Sequence, residues 1–138
     1  MKHLLFAIGE QNDFLGDPTH LNDIQPVLKD TDYWEKGDTF LSIRNQSMVI
    51  LYRPSTNKIL WIGDENIMNQ HDIDIIDDHT ISIFNNNVLN TVNGAMVDGN
   101  NEVVIYDFNK KEYRKYLDES MKENDIRTVT GGRSQILS

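Results

Sequence analysis

Two stretches of this chain run through the same features in the same order, and that recurrence limits the fold more than anything else in it. Leu4-Leu5-Phe6-Ala7-Ile8-Gly9 is similar to Ile59-Leu60-Trp61-Ile62-Gly63. Each run is followed by a histidine, His20 or His71, and then by an Asp-Ile pair, Asp23-Ile24 or Asp74-Ile75. Next comes L-S-I-R-N-Q at 41–46 or I-S-I-F-N-N at 81–86, then V-I-L-Y at 49–52 or V-V-I-Y at 103–106. Asn57-Lys58 and Asn109-Lys110 close the two copies, and Gly132-Arg133-Ser134-Gln135-Ile136-Leu137 opens a third. The two histidines stand 51 residues apart, at positions 20 and 71. A four-stranded propeller blade takes about 40 to 50 residues.

The segments between these landmarks read as short strands. Thr39–Ile43, Ser47–Tyr52 and Lys58–Ile62 are rich in β-branched and aromatic residues. Asp72–Ile76 and Thr80–Phe84 alternate polar and apolar residues, and Glu102–Phe108 and Glu112–Leu117 follow. Pro54-Ser55-Thr56-Asn57 and Phe108-Asn109-Lys110-Lys111 are hairpin loops, where Asn tolerates positive φ. Only Tyr116–Asn124 has a helical pattern, good for one or two turns. The expected fold is therefore all-β: a β-propeller fragment of about two four-stranded blades plus flanking strands. Residues 1–9 form the outer strand of a preceding blade, 20–63 the first blade, 71–117 the second, and 131–138 the start of a third. A propeller closes with about four to eight blades. Two blades predict a piece of a larger protein, with blade faces open to self-association.

Composition removes several functions. The 138 residues carry 13 Lys and Arg against 22 Asp and Glu, a net charge of -9. Nucleic-acid binding needs clustered cations, and the group Lys110, Lys111, Arg114, Lys115 reads as a solvated strand edge. With no cysteine there is no disulfide, thiolate metal site or Cys nucleophile, and the redox compartment stays open. Met1–Gly9 is too short an apolar run for a secretory leader and lacks a small-x-small cleavage pattern. Nowhere does an apolar stretch approach the roughly 18 residues of a membrane helix. Acids near His71 lack metal-ligand spacing, and Asp98-Gly99-Asn100-Asn101 has no Glu at the position a calcium loop requires. No metal or cofactor is expected.

In a propeller, equivalent strands line one central channel. His20 and His71 precede equivalent strands, so the repeat brings them to the same channel mouth. Arg44, Asn45 and Gln46 end the next strand of the first unit, and Asn85, Asn86 and Asn87 hold that place in the second. Imidazoles, a guanidinium and amides around one mouth suit an oxyanion. The alternatives are a histidine that caps blade carbonyls, and an Arg44 paired with one of the 22 acids.

H-L-N-D at 20–23, F-L-S-I-R-N at 40–45, I-L-W-I-G at 59–63, Q-H-D-I at 70–73 and I-S-I-F-N-N-N at 81–87 together resemble the arylsulfotransferase family over about Leu4 to Leu137. The resemblance implies a six-bladed propeller that moves a sulfuryl group from an aryl sulfate to a phenol through a sulfated histidine. Position by position, it implies His71 as nucleophile, His20 and Asn22 as the H-x-N pair that holds sulfate oxygens, and Arg44 as the sulfate-binding arginine. The family's further channel histidine, from an earlier blade, has no match, and His3 does not fit that motif. The missing blades predict that the chain is inactive alone. They leave a non-catalytic propeller module that binds a protein or small anion as the alternative function. Related proteins are often exported, so the resemblance leaves localisation open.

Overall fold

The computed structural model describes residues 17–136. The expected outer strand at 1–9, His3 and the end of the third copy at 137–138 lie outside them. Ten strands and one short helix make up the rest, so the chain is all-β.

Four strands form the first sheet: β1 (Leu21–Pro26), β2 (Thr39–Ile43), β3 (Met48–Arg53) and β4 (Lys58–Gly63), antiparallel and in sequence order. The second contains β5 (Ile73–Ile75), β6 (Thr80–Asn85), β9 (Glu102–Asp107) and β10 (Glu112–Tyr116), again as a meander. Between β6 and β9 the chain leaves to form a separate hairpin, β7 (Val88–Thr91) and β8 (Gly94–Val97). After β10 comes α1 (Asp118–Glu123), where the sequence pattern places its one or two helical turns.

The repeat shows in strand register as well as in letters. Asp23 lies opposite Ser42 between β1 and β2, and Asp74 lies opposite Ser82 between β5 and β6. The sheets differ at the next connection. In the first, Arg44–Gln46 makes one tight 3-10 turn closed by Ser47 at φ +49°. The second replaces that turn with the β7–β8 excursion. Its Asn93-Gly94 dipeptide is the hairpin signal the strand reading passed over, with Gly94 at φ +110°. At the far end of each sheet, Asn57 takes the positive φ expected of it, whereas in the second loop Lys111 does so rather than Asn109.

Alternation along the strands decides which faces meet. Phe40, Val49 and Leu51 from the first sheet pack with Ile73, Ile81, Ile83, Val104 and Tyr106 from the second. The β1–β2 loop adds Trp34, which is 1% exposed and meets Phe40 and Phe108 edge to face. Thr31 holds that loop by accepting the Tyr33 and Trp34 amides, and Asp38 is buried in a two-pronged pair with Arg53, both contacts 2.8 Å. The other face of the second sheet is covered as well. There α1 packs on β9, the Asn101 amide donates to the Ile126 carbonyl at 2.9 Å, and Gly132 lies against Phe84 so closely that a Cβ would overlap the ring. Among the described residues, no helix is long and apolar enough to cross a membrane.

Packing brings the edge strands β1 and β5 alongside each other. The Asn22 side-chain amide donates to the Gln70 carbonyl at 3.0 Å, and the Ile73 amide donates to the Asp23 carboxylate at 3.0 Å.

Trp34 joins the loop to both sheets, so Trp34→Ala should cost about 3–5 kcal/mol of stability. Urea unfolding followed by near-ultraviolet circular dichroism measures it; a loss below about 1 kcal/mol would show that the sheets hold without this wedge.

Candidate functional site

The sequence places its candidate residues at strand ends, and the structure gathers those ends on one side of the two sheets. His20 directly precedes β1, and its carbonyl accepts the Arg44 amide at 3.1 Å. Likewise the His71 amide donates to the Phe84 carbonyl at 3.0 Å, one strand across in the second sheet. Each histidine is thus tied to the end of the neighbouring strand. The sheet-to-sheet connection is fixed just before His71. Gln70 is fully buried, and its side-chain amide donates to the Met48 carbonyl at 2.7 Å and to Ser42 Oγ at 3.2 Å.

Burial is the main cause that lowers the His71 pKa below its ordinary value. The positive charges of Arg44 and His20 act in the same direction, which places both within electrostatic reach of the ring. A hydrogen bond to Asn86 opposes the shift. The balance favours neutral imidazole, the form with a lone pair to use.

Both ring nitrogens are engaged. Nδ1 meets the Asn86 Oδ1 at 2.6 Å, and Nε2 accepts the Gly131 amide at 2.8 Å. Asn86 is itself fully buried, and its Nδ2 donates to the carbonyls of Thr128 (3.1 Å) and Gly131 (2.6 Å). Asn101 repeats the pattern one layer deeper, donating to the Asn86 and Thr128 carbonyls and accepting the Thr128 amide.

Arg44 is half-buried, and desolvation lowers its pKa. Its Nη1 donates to Asn45 Oδ1 at 2.9 Å and its Nη2 reaches the Val129 carbonyl at 3.5 Å, while Nε has no hydrogen-bond partner. Among the described residues no carboxylate pairs with Arg44 or with the exposed Arg114, whereas Arg53 pairs with Glu35 and Asp38, Arg127 with Asp125 and Arg133 with Asp72. Among the described residues, then, the salt-bridge alternative for Arg44 finds no partner. His20 has one: its Nδ1 lies 3.0 Å from Asp17 Oδ2.

Asn22 and His71 line one open cavity of about 240 Å³ with Asp23, Asp72, Asp74 and Arg133. Neither His20 nor Arg44 lines it. Burial raises the Asp72 pKa, and Asp74 and Asp23 add to that effect. Among the described residues no three His, Asp or Glu side chains are grouped to hold a metal ion.

The amides expected at an anion-binding mouth are used differently. Asn45 Nδ2 donates to the Asp17 carbonyl at 2.7 Å and Gln46 Nε2 to the Pro18 carbonyl at 3.4 Å. Asn85 accepts the Met68 amide at 2.7 Å and donates to Glu102 at 3.1 Å. These amides therefore bond protein groups: backbone carbonyls at Asp17 and Pro18, the Met68 amide and the Glu102 carboxylate. The contact between Asn86 and His71 had no signal in the sequence beyond a run of three asparagines. Gly131, 60 residues away in the chain, had none.

Comparison with known proteins adds one finding. A family model described as Arylsulfotransferase (ASST) matches residues 2–138. No curated protein and no solved structure matches the chain. A match over that span, on two four-stranded antiparallel sheets, means that this chain belongs to the arylsulfotransferase family.

Proposed function

We propose that the chain carries the His71 part of a sulfuryl-transfer centre, which moves a sulfuryl group from an aryl sulfate ester to a phenol through a sulfohistidine. The observation that supports this reading most is Arg44. A half-buried guanidinium that pairs with no carboxylate among the described residues, and whose charge acts on the nearby His71 ring, fits a bound anion.

The chemistry takes two displacements. A lone pair on the His71 ring attacks sulfur, an N–S bond forms, and the S–O bond to the aryl group breaks with its electrons leaving as phenolate. The acceptor phenol, having lost its proton, then attacks the same sulfur, and the N–S electrons return to the ring. One phenolate gains a proton and one phenol loses one, so the cycle is balanced and needs no cofactor. Arg44, with Asn22 and His20, would hold the sulfuryl oxygens as charge builds on them. Further blades, from the same protein or from other copies, would complete the channel.

A non-catalytic propeller module is the second reading. It draws on the hydrogen bonds to both His71 nitrogens, as befits a structural histidine.

Turnover of a chromogenic phenyl sulfate with a phenol acceptor separates the two, assayed on the chain and on any gene product that extends it. His71→Ala should abolish transfer with the fold retained by circular dichroism. Transfer at the unchanged rate would remove His71 from the chemistry. Absence of both turnover and aryl sulfate binding in every form favours the module.

Arg44→Met should lower kcat/KM by about 10²–10³-fold, as for the loss of one oxyanion donor. A change within 2-fold would exclude Arg44 from anion binding.

The pH dependence follows from the lowered His71 pKa. Neutral His71 is the reactive form, so kcat/KM should stay flat as pH falls to the ordinary histidine value of about 6.5 and decline only below it. The same shift affects stability. The His71 contribution is complete above about 6.5 and is lost as pH falls toward the lowered folded value. A limb above 6.5 in the pH–rate profile would contradict this.

A further inference from the structure

We infer that Asn86 is a positioning residue that locks His71 in the Nδ1–H tautomer and so makes Nε2 the nitrogen that reacts. This deepens the sulfuryl-transfer reading and rests on it for the word "reacts", although the tautomer itself does not.

Two hydrogen bonds, both braced by Asn86, give the same answer. The Asn86 amide has one orientation open to it. Its Nδ2 faces two carbonyl oxygens, those of Thr128 and Gly131, at 3.1 and 2.6 Å. Flipping the amide would turn Oδ1 toward both, three acceptors together with no proton between them. Oδ1 therefore points at the imidazole and can only accept, so Nδ1 must carry the proton across the 2.6 Å contact. On the other side of the ring, the Gly131 amide is a fixed donor 2.8 Å from Nε2, which must then offer a lone pair. One tautomer satisfies both ends. In histidine the hydrogen bond at one ring nitrogen sets the state of the other.

Asn86 is fully buried and in turn braced, since its own carbonyl accepts the Asn101 side-chain amide at 2.7 Å. A buried amide that meets a ring nitrogen while its other end is saturated has no freedom to adapt. That rigidity suits a nucleophile, whose lone pair must be aimed before substrate arrives. The Gly131 amide, 2.8 Å from Nε2, marks the direction of that lone pair.

The test reads the tautomer directly. Long-range proton–nitrogen correlation spectra of the full chain, recorded above pH 7.5 with His71→Ala to assign the signals, report which ring nitrogen bears the proton. A protonated Nδ1 is expected, and a protonated Nε2 would overturn the assignment whatever the activity. Asn86→Ala also releases the Gly131 carbonyl that Asn86 Nδ2 holds at 2.6 Å, so the Gly131 amide loses its brace against Nε2 and the ring should drift toward the Nε2–H form that predominates in unconstrained neutral histidine. In any catalytically active form kcat should fall about 10- to 100-fold with KM within 3-fold. An unchanged tautomer in Asn86→Ala would show that Asn86 does not set it. If Asn86→Ala does not fold, Asn86→Asp keeps an acceptor at Nδ1 but charges it, so the His71 titration should move to higher pH; an unmoved titration overturns the proposal. A protonated Nδ1 without aryl sulfate turnover in any form would sink the transfer reading and leave the Asn86 assignment standing.

Discussion

The apolar seam between the two sheets is the interaction on which the rest depends. Each sheet alone would expose a face of Phe, Val, Leu and Ile, and burying one such side chain is worth about 1.5–3 kcal/mol. Phe40 and Leu51 on one side and Ile81, Ile83 and Tyr106 on the other therefore close on each other, with Trp34 and Phe108 filling the wider end. Because side chains alternate along a strand, this seam also fixes which residues face outward and how β1 lies relative to β5. Two histidines far apart in sequence thereby come to neighbouring strand ends.

The site is built on buried polar groups, which is costly unless each is paired. Gln70, Asn86 and Asn101 are all fully buried, and each satisfies backbone groups that strand pairing leaves over. Gln70 pegs the sheet connection to the first sheet, and Asn86 and Asn101 peg the second sheet to the segment from Thr128 to Gly131. These pegs explain why His71 sits at one depth and one angle. They also explain the contrast with Arg44, whose Nε has no such partner.

Much of the fold could be read from the letters, for a definite reason. The period-two pattern at Thr80–Phe84 and the β-branched run at Ser47–Tyr52 have few ways to bury their apolar residues except as strands. The recurrence of Asp-Ile and of the S-I motif carried further, since Asp23–Ser42 and Asp74–Ser82 are matching cross-strand pairs. The β7–β8 hairpin was missed because the repeat set the expectation of one short turn there. Its own sequence gave the contrary signal in Asn93-Gly94. The partners of the site's asparagines are not legible in the letters, because an amide is written the same whether it faces an anion or a carbonyl.

The all-β class, the repeat and the family were all legible in the letters, since each rests on local pattern or on the order of motifs along the chain. The letters also singled out His20, Asn22, Arg44 and His71. Their surroundings came from the packing of the two sheets. That packing put Asn22 and His71 on one cavity and Arg44 and His20 beyond it, left Arg44 without an acid, and set Asn86 and Gly131 against the two nitrogens of one ring. Those contacts join residues 15 and 60 positions apart. No local rule encodes such distances, because they follow from how two sheets close on a shared core.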